Sequence, residues 1–148
     1  MQRTAVINVV GLTESLLGPH TPKINAFRQA GALANIVPAF PAVTCTAQSN
    51  YLTGHPPSRH GMVGNGWYNR DLAEVQFWKQ SNRLVHAPKL WEELKRQDPG
   101  FTCAYLFWWY AMYSSADYSI TPRPIYPADG RKIFDIYTWP YAIRPAIK

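Results

Sequence analysis

Three hydroxyls, Thr44, Thr46 and Ser49, stand near the head of the segment FPAVTCTAQSNYLTG, where Pro41 sets the entry and Gly54 supplies a stop. The pattern predicts a helix through Leu52 with a hydroxyl in its first turn. There a side-chain oxygen lies among backbone N–H groups that have no helical acceptor and at the positive end of the helix dipole. That setting binds phosphoryl oxygens and favours an alkoxide. A threonine at a helix start also commonly does no more than cap the helix. Local pattern leaves both readings open.

The elements that would position this segment precede it. Thr4 to Val10, TAVINVV, is β-branched and apolar at nearly every position, which predicts a strand buried on both faces of a parallel sheet and ended by Gly11. Thr21 as cap and Pro22 as first residue predict a helix carrying Ile24, Phe27 and Ala30 inward and stopping at Gly31. A second apolar run, ALANIVPAF, follows. Strand, helix and strand make a βαβ unit, whose right-handed crossover places ligands beyond the carboxyl ends of the strands. Thr44 is therefore expected at a helix N-terminus beyond the end of the Thr4–Val10 strand.

Further on, HPPSRHGMVGNGWYNRD reads as loop and hairpin with Asn65-Gly66 as a tight turn. PKLWEELKRQDPG reads as a helix from Pro88 to the Pro99-Gly100 stop, and FTCAYLFWW as another buried strand. Beyond Tyr110, Pro122, Pro124, Pro127, Pro140 and Pro145 interrupt every run, so residues 111–148 read as an irregular aromatic and proline-rich segment. Twelve aromatics fall between Tyr105 and Tyr141, apolar surface that has to pack on something, self-association included.

Composition narrows the class. With 148 residues, 47% hydrophobic and 16% charged, the chain is too apolar for disorder and long enough for one domain or one part of a larger one. No apolar run approaches the roughly 20 residues that cross a bilayer, so no membrane partner is expected. The net charge of +6 favours anionic ligands, yet the basic residues are scattered and form no stripe that would track nucleic acid. Cys45 and Cys103 lack any CxxC or Cys/His spacing and read as buried thiols in a reducing, cytoplasmic compartment.

The run FPAVTCTAQSNYLTGHPPSRHGMVGN resembles the nucleophile region of the alkaline phosphatase superfamily, and within it the nucleotide pyrophosphatase/phosphodiesterase family. Phe40-Pro41, Thr44, Thr53-Gly54 and Pro57-Ser58-Arg59-His60-Gly61-Met62-Val63-Gly64-Asn65 reproduce the family's order and spacing, and HTPKINAFRQAGA is similar to its Thr-Pro-Asn-Leu helix. The resemblance implies an α/β fold, a parallel sheet flanked by helices, of which residues 1–148 would form the N-terminal part as a single partial domain. It implies that Thr44 is both nucleophile and metal ligand, with two divalent ions, zinc by preference, clamping the attacking and leaving oxygens. The expected activity is hydrolysis of phosphodiester or nucleotide pyrophosphate bonds in a nucleotide-like small molecule, incomplete in this chain. The alternative is a non-catalytic anion-binding or assembly module.

Three departures accompany the resemblance. The family's metal-binding Asp at the end of the first strand is replaced by Val10, and Asn8, on the same strand face, is the substitute ligand if the strand has one. The Asn expected three positions after the nucleophile is Ala47, with Gln48 beside it as the phosphate-binding candidate and Asn50 as a poorer one. The family's later Asp and His ligands have no match. His60 reads as a structural residue of its loop, and Asp71, Asp117, Asp129 and Asp135 as turn and capping residues. Tyr113, Tyr118, Tyr126 and Trp108-Trp109 could stack on a nucleobase, or could serve packing alone.

Overall fold

The structure, a computed structural model, describes residues 3–147, and its contacts divide the chain into two units, Met1–Val37 and Pro38–Lys148. In the first unit a 3-10 turn at Glu14–Leu16 precedes helix α1, Pro22–Ala30. Pro22 opens α1 and Gly31 closes it as the residue types require. Thr21 sits at the cap position, but its hydroxyl accepts from the Gly18 N–H at 2.9 Å and donates to the Leu16 carbonyl at 3.0 Å, tightening the turn before the helix.

The two flanking strands are absent. Neither residues 4–10 nor residues 32–37 enter a β-ladder, and Val6, Ile7, Val9 and Val10 are exposed, as are Ile36 and Val37. β-Branched residues prefer extended backbone, but a strand exists only where a neighbour takes up its N–H and C=O groups, and no partner strand lies in this unit among the described residues. The expected βαβ unit is thus reduced to its helix.

The second unit holds the core. Helix α2 runs Thr44–Thr53 and ends at Gly54, whose φ of +67° is the left-handed conformation that a C-terminal glycine adopts without a Cβ clash. The short helix α3, Pro57–His60, follows, then the antiparallel hairpin of β1, Gly66–Asn69, and β2, Glu74–Phe77. Asn65-Gly66 does not make the hairpin turn. The chain reverses over residues 70–73, and Gly66 opens β1 opposite Phe77. A Cβ at Gly66 would lie 2.6 Å from Phe77 Cδ2 and 3.0 Å from the Gln76 carbonyl. The exposed Phe77 ring can swing aside, whereas the strand carbonyl cannot. Gly66→Ala is expected to cost about 1–3 kcal/mol, read as a lower urea midpoint with an unchanged m-value.

Helix α4 spans Leu90–Gln97, with the Glu92 carboxylate accepting the Lys89 backbone N–H at 2.9 Å in its first turn. Strand β3, Ala104–Leu106, pairs in parallel with β4, Tyr118–Pro122, and β4 pairs antiparallel with β5, Ile136–Trp139, before a 3-10 turn at Tyr141–Ala146. Two strands and a turn therefore occupy the segment that reads as irregular. Proline permits them because Pro122 ends β4 and Pro140 follows β5, so no prolyl nitrogen interrupts the middle of a ladder.

The connection between parallel strands β3 and β4 contains no helix. Phe107, Tyr110 and Tyr113 take positive φ values of 62°, 60° and 58° to reverse it. It is anchored from other elements: the Gln48 Oε1 accepts the Trp109 N–H at 2.7 Å, and Asn82 bonds the Tyr110 and Met112 carbonyls through its side chain and backbone. Tyr110 and Ala111 are buried by this anchoring. One core cluster gathers Cys45, Met62, Val85 and Tyr110, and another Trp91, Tyr105, Ala111 and Ala116. The result is a mixed α/β fold of helices and small sheets, one of them partly parallel, which fits a partial alkaline-phosphatase-like domain. Among the described residues no helix is long and apolar enough to cross a membrane.

Candidate functional site

Helix α2 has Val43 at its cap position and Thr44 as its first helical residue. The first intrahelical bond runs from the Ala47 N–H to the Val43 carbonyl at 2.9 Å, which leaves the N–H groups of Thr44, Cys45 and Thr46 without helical acceptors. One of these is met from outside the helix, for Cys45 N–H donates to Asn65 Oδ1 at 3.0 Å. Asn65, not a threonine, thus caps α2 from 20 positions along the chain. Thr44 is half-buried and its hydroxyl makes no hydrogen bond with the described residues. Capping, the ordinary occupation of a threonine at a helix start, is taken up by another side chain.

The other two hydroxyls do not join Thr44 in a cluster. Thr46 and Ser49, one helical turn apart, are both fully buried on the inward side of α2, and neither hydroxyl has a partner. Cys45 is buried beside them. Burial pushes its thiol above its ordinary range, and it faces the Tyr110 phenol short of hydrogen-bonding geometry. A thiol held protonated in an apolar core is a packing group.

Gln48 is buried, and its amide oxygen carries the Trp109 N–H bond that anchors the β3–β4 connection. Asn50 accepts from His60 Nε2 at 2.7 Å. Asn8 lies half-buried in the first unit. The residue that sequence reasoning passes over is Asn65. Its signal is present as the last position of the Pro-x-x-His-Gly-x-x-Gly-Asn loop, but beside Gly66 it reads as half of a turn. Its Nδ2 group has no partner among the described residues, so at the end of α2 an amide donor accompanies the unbonded Thr44 hydroxyl.

His60 explains how Asn65 is held. Its ring is fully buried, Nδ1 accepts the Met62 N–H at 3.0 Å, and Nε2 donates to Asn50 at 2.7 Å, which fixes the neutral tautomer protonated on Nε2. The ring ties the loop that ends in Asn65 back to α2. Burial, helped by nearby His55, holds its pKa below the ordinary 6.5. An unfolded chain therefore takes up this proton first as the pH falls, and the stability present above pH 6.5 is lost between 6.5 and the lower folded value. The slope has a limit of about 1.4 kcal/mol per pH unit. Urea midpoints compared at neutral and mildly acidic pH should show this loss in the wild-type chain, and His60→Gln should flatten it.

The acidic residues are dispersed into structural roles. Burial opposes ionisation of Asp117, but the Cys103 N–H at 2.7 Å and Lys95 at 2.9 Å outweigh it and hold the carboxyl below its ordinary range. Asp129 pairs with Arg131 inside its turn, Asp135 with Arg144, and Asp71 lies in the hairpin turn. Tyr113, Tyr118 and Tyr126 are exposed, while Trp109 packs edge-on against Trp78 and Trp108 packs on the second core cluster.

A helix N-terminus that presents an unbonded hydroxyl and a neighbouring amide, inside a mixed α/β fold, defines the class of phosphoryl-handling hydrolases. The chain belongs to the type I phosphodiesterase/nucleotide pyrophosphatase family, whose model matches residues 4–146. Comparison with curated proteins and with solved structures gives no match. The family typically uses divalent metals. Among the described residues no three His, Cys, Asp or Glu side chains gather to hold a metal ion, and Val10 stands where a carboxylate is expected. The donor set on these residues does not make up a two-metal site.

Proposed function

We propose that this chain contributes the nucleophile and part of the phosphate cradle for hydrolysis of phosphodiester or nucleotide pyrophosphate bonds, with Thr44 as the attacking residue. The observation that carries the reading is the division of labour at α2: Asn65 caps the helix, and the Thr44 hydroxyl beside it is unbonded. The N–H groups of Thr44 and Thr46, lacking helical acceptors, are donors for phosphoryl oxygens at the positive end of the helix. The Asn65 amide is a further donor, and Gln48, whose oxygen is engaged, retains only its Nε2 group for that purpose.

In the reaction the Thr44 oxygen bonds to phosphorus as the ester or anhydride oxygen departs, and the hydroxyl proton must pass to a base. Water then cleaves the Thr44–phosphate bond and restores the hydroxyl. No base touches the Thr44 hydroxyl among the described residues, so they position the nucleophile without activating it. Anion binding without turnover is the second reading, favoured by that same lack of a base.

Titration with inorganic phosphate, followed by amide NMR shifts, tests the site itself. Saturable shifts are expected at Thr44, Cys45, Thr46 and Asn65, and Asn65→Ala should weaken binding about tenfold. Shifts that avoid the start of α2 would overturn the assignment.

A further inference from the structure

We propose that the cleft between β5 and the Tyr141–Ala146 turn is a second binding site, for a small organic phosphate monoester, built from none of the residues around Thr44. The cleft has a volume of about 330 Å³, within the size range of small-molecule sites. Its lining carries Arg123, Asp135, Tyr137, Thr138, Tyr141 and Arg144, and the charges of the two arginines and one aspartate leave one positive charge uncompensated.

The two arginines differ in what holds them. Arg144 bonds the Asp135 carboxylate and the Ile136 carbonyl, and its guanidinium carbon lies 5.8 Å from the centre of the Tyr141 ring, so its charge and orientation are already committed. Arg123 is tied through its backbone, whose N–H donates to the Asp135 carbonyl at 2.8 Å, but its guanidinium pairs with no carboxylate among the described residues. A fork of N–H donors therefore borders the cleft with its charge unmatched.

Two hydroxyls add to it. Thr138 is 5% exposed and its hydroxyl has no partner, a condition that native structures keep rare because a buried polar group without a hydrogen bond is costly. Tyr137 accepts the Tyr113 N–H at 3.2 Å on its phenol oxygen, which leaves its own proton to donate. One guanidinium and two hydroxyls lining one cavity suit an anion with three acceptor oxygens. A carboxylate has two and would leave a donor unmatched, and the positive balance disfavours a cation. The rings of Tyr137 and Tyr141 supply the apolar wall for an organic substituent.

The test is calorimetry with phenyl phosphate and with benzoate on the Thr44→Ala chain, which keeps the result independent of the nucleophile proposed above. Phenyl phosphate should bind saturably at one site and benzoate about tenfold more weakly, the loss of one hydrogen bond. Arg123→Gln should weaken phenyl phosphate by about tenfold or more. Thr138→Val should also weaken it, yet leave the Tm of the free protein unchanged or higher, since the hydroxyl it removes has no partner there. The proposal is overturned if phenyl phosphate does not saturate, if benzoate binds equally well, or if neither substitution changes the affinity.

Discussion

Zinc or manganese added to the 148-residue chain is expected to leave hydrolysis of a p-nitrophenyl phosphodiester at the background rate, no faster than in Thr44→Ala. A competent phosphodiesterase accelerates such a reaction by about 10⁶-fold or more, so the expected difference from an active relative is very large. The reason lies in the donors. A threonine hydroxyl is a weak nucleophile until a base or a cation removes its proton, and no such group contacts Thr44 among the described residues. Nothing there balances the charge that develops on the leaving oxygen either. Metal-dependent turnover that disappears in Thr44→Ala would refute this expectation and reveal ligands converging on α2.

Trp91→Ala should be the most damaging substitution to stability. The indole is 3% exposed, packs at 4.8 Å from the Tyr105 ring and donates its Nε1–H to Ser115 Oγ at 2.9 Å. Truncating a buried tryptophan costs about 3–5 kcal/mol, which is comparable with the whole stability of many domains, about 5–15 kcal/mol. Loss of the near-ultraviolet circular dichroism of the folded state, or a steep fall in urea midpoint, is the expected measurement. Trp91→Phe keeps an aromatic ring in the cluster and forfeits the hydrogen bond, so it should cost clearly less. Equal behaviour of the two variants would show that the ring volume does not carry this core.

Helix α2 was legible because its signals are local. Gly54 at its end and threonines at its start act within a turn or two of themselves, so the residue types alone place Thr44 at the helix N-terminus. The same holds for α1, opened by Pro22 and closed by Gly31, and for the family motif, whose residues lie within one short stretch of chain. Thr4–Val10 shows the limit. Its composition states a preference for extended backbone, but pairing depends on a neighbour that residues 4–10 do not encode, and the segment is left unpaired and exposed. Strands β4 and β5 show the converse, because the proline-rich sequence around them hides a ladder whose register is set across 15 to 20 residues of intervening chain.

Sequence by itself determined the family, the mixed α/β character and the position of Thr44 at the start of a helix. Only the tertiary structure decided which side chains meet there. Asn65 reaches the α2 terminus because His60 ties its loop to Asn50, and Gln48 turns inward to hold the β3–β4 connection. Backbone preference acts between neighbouring residues, whereas a hydrogen bond between positions 45 and 65, or 48 and 109, exists only once the intervening chain has folded and brought them together.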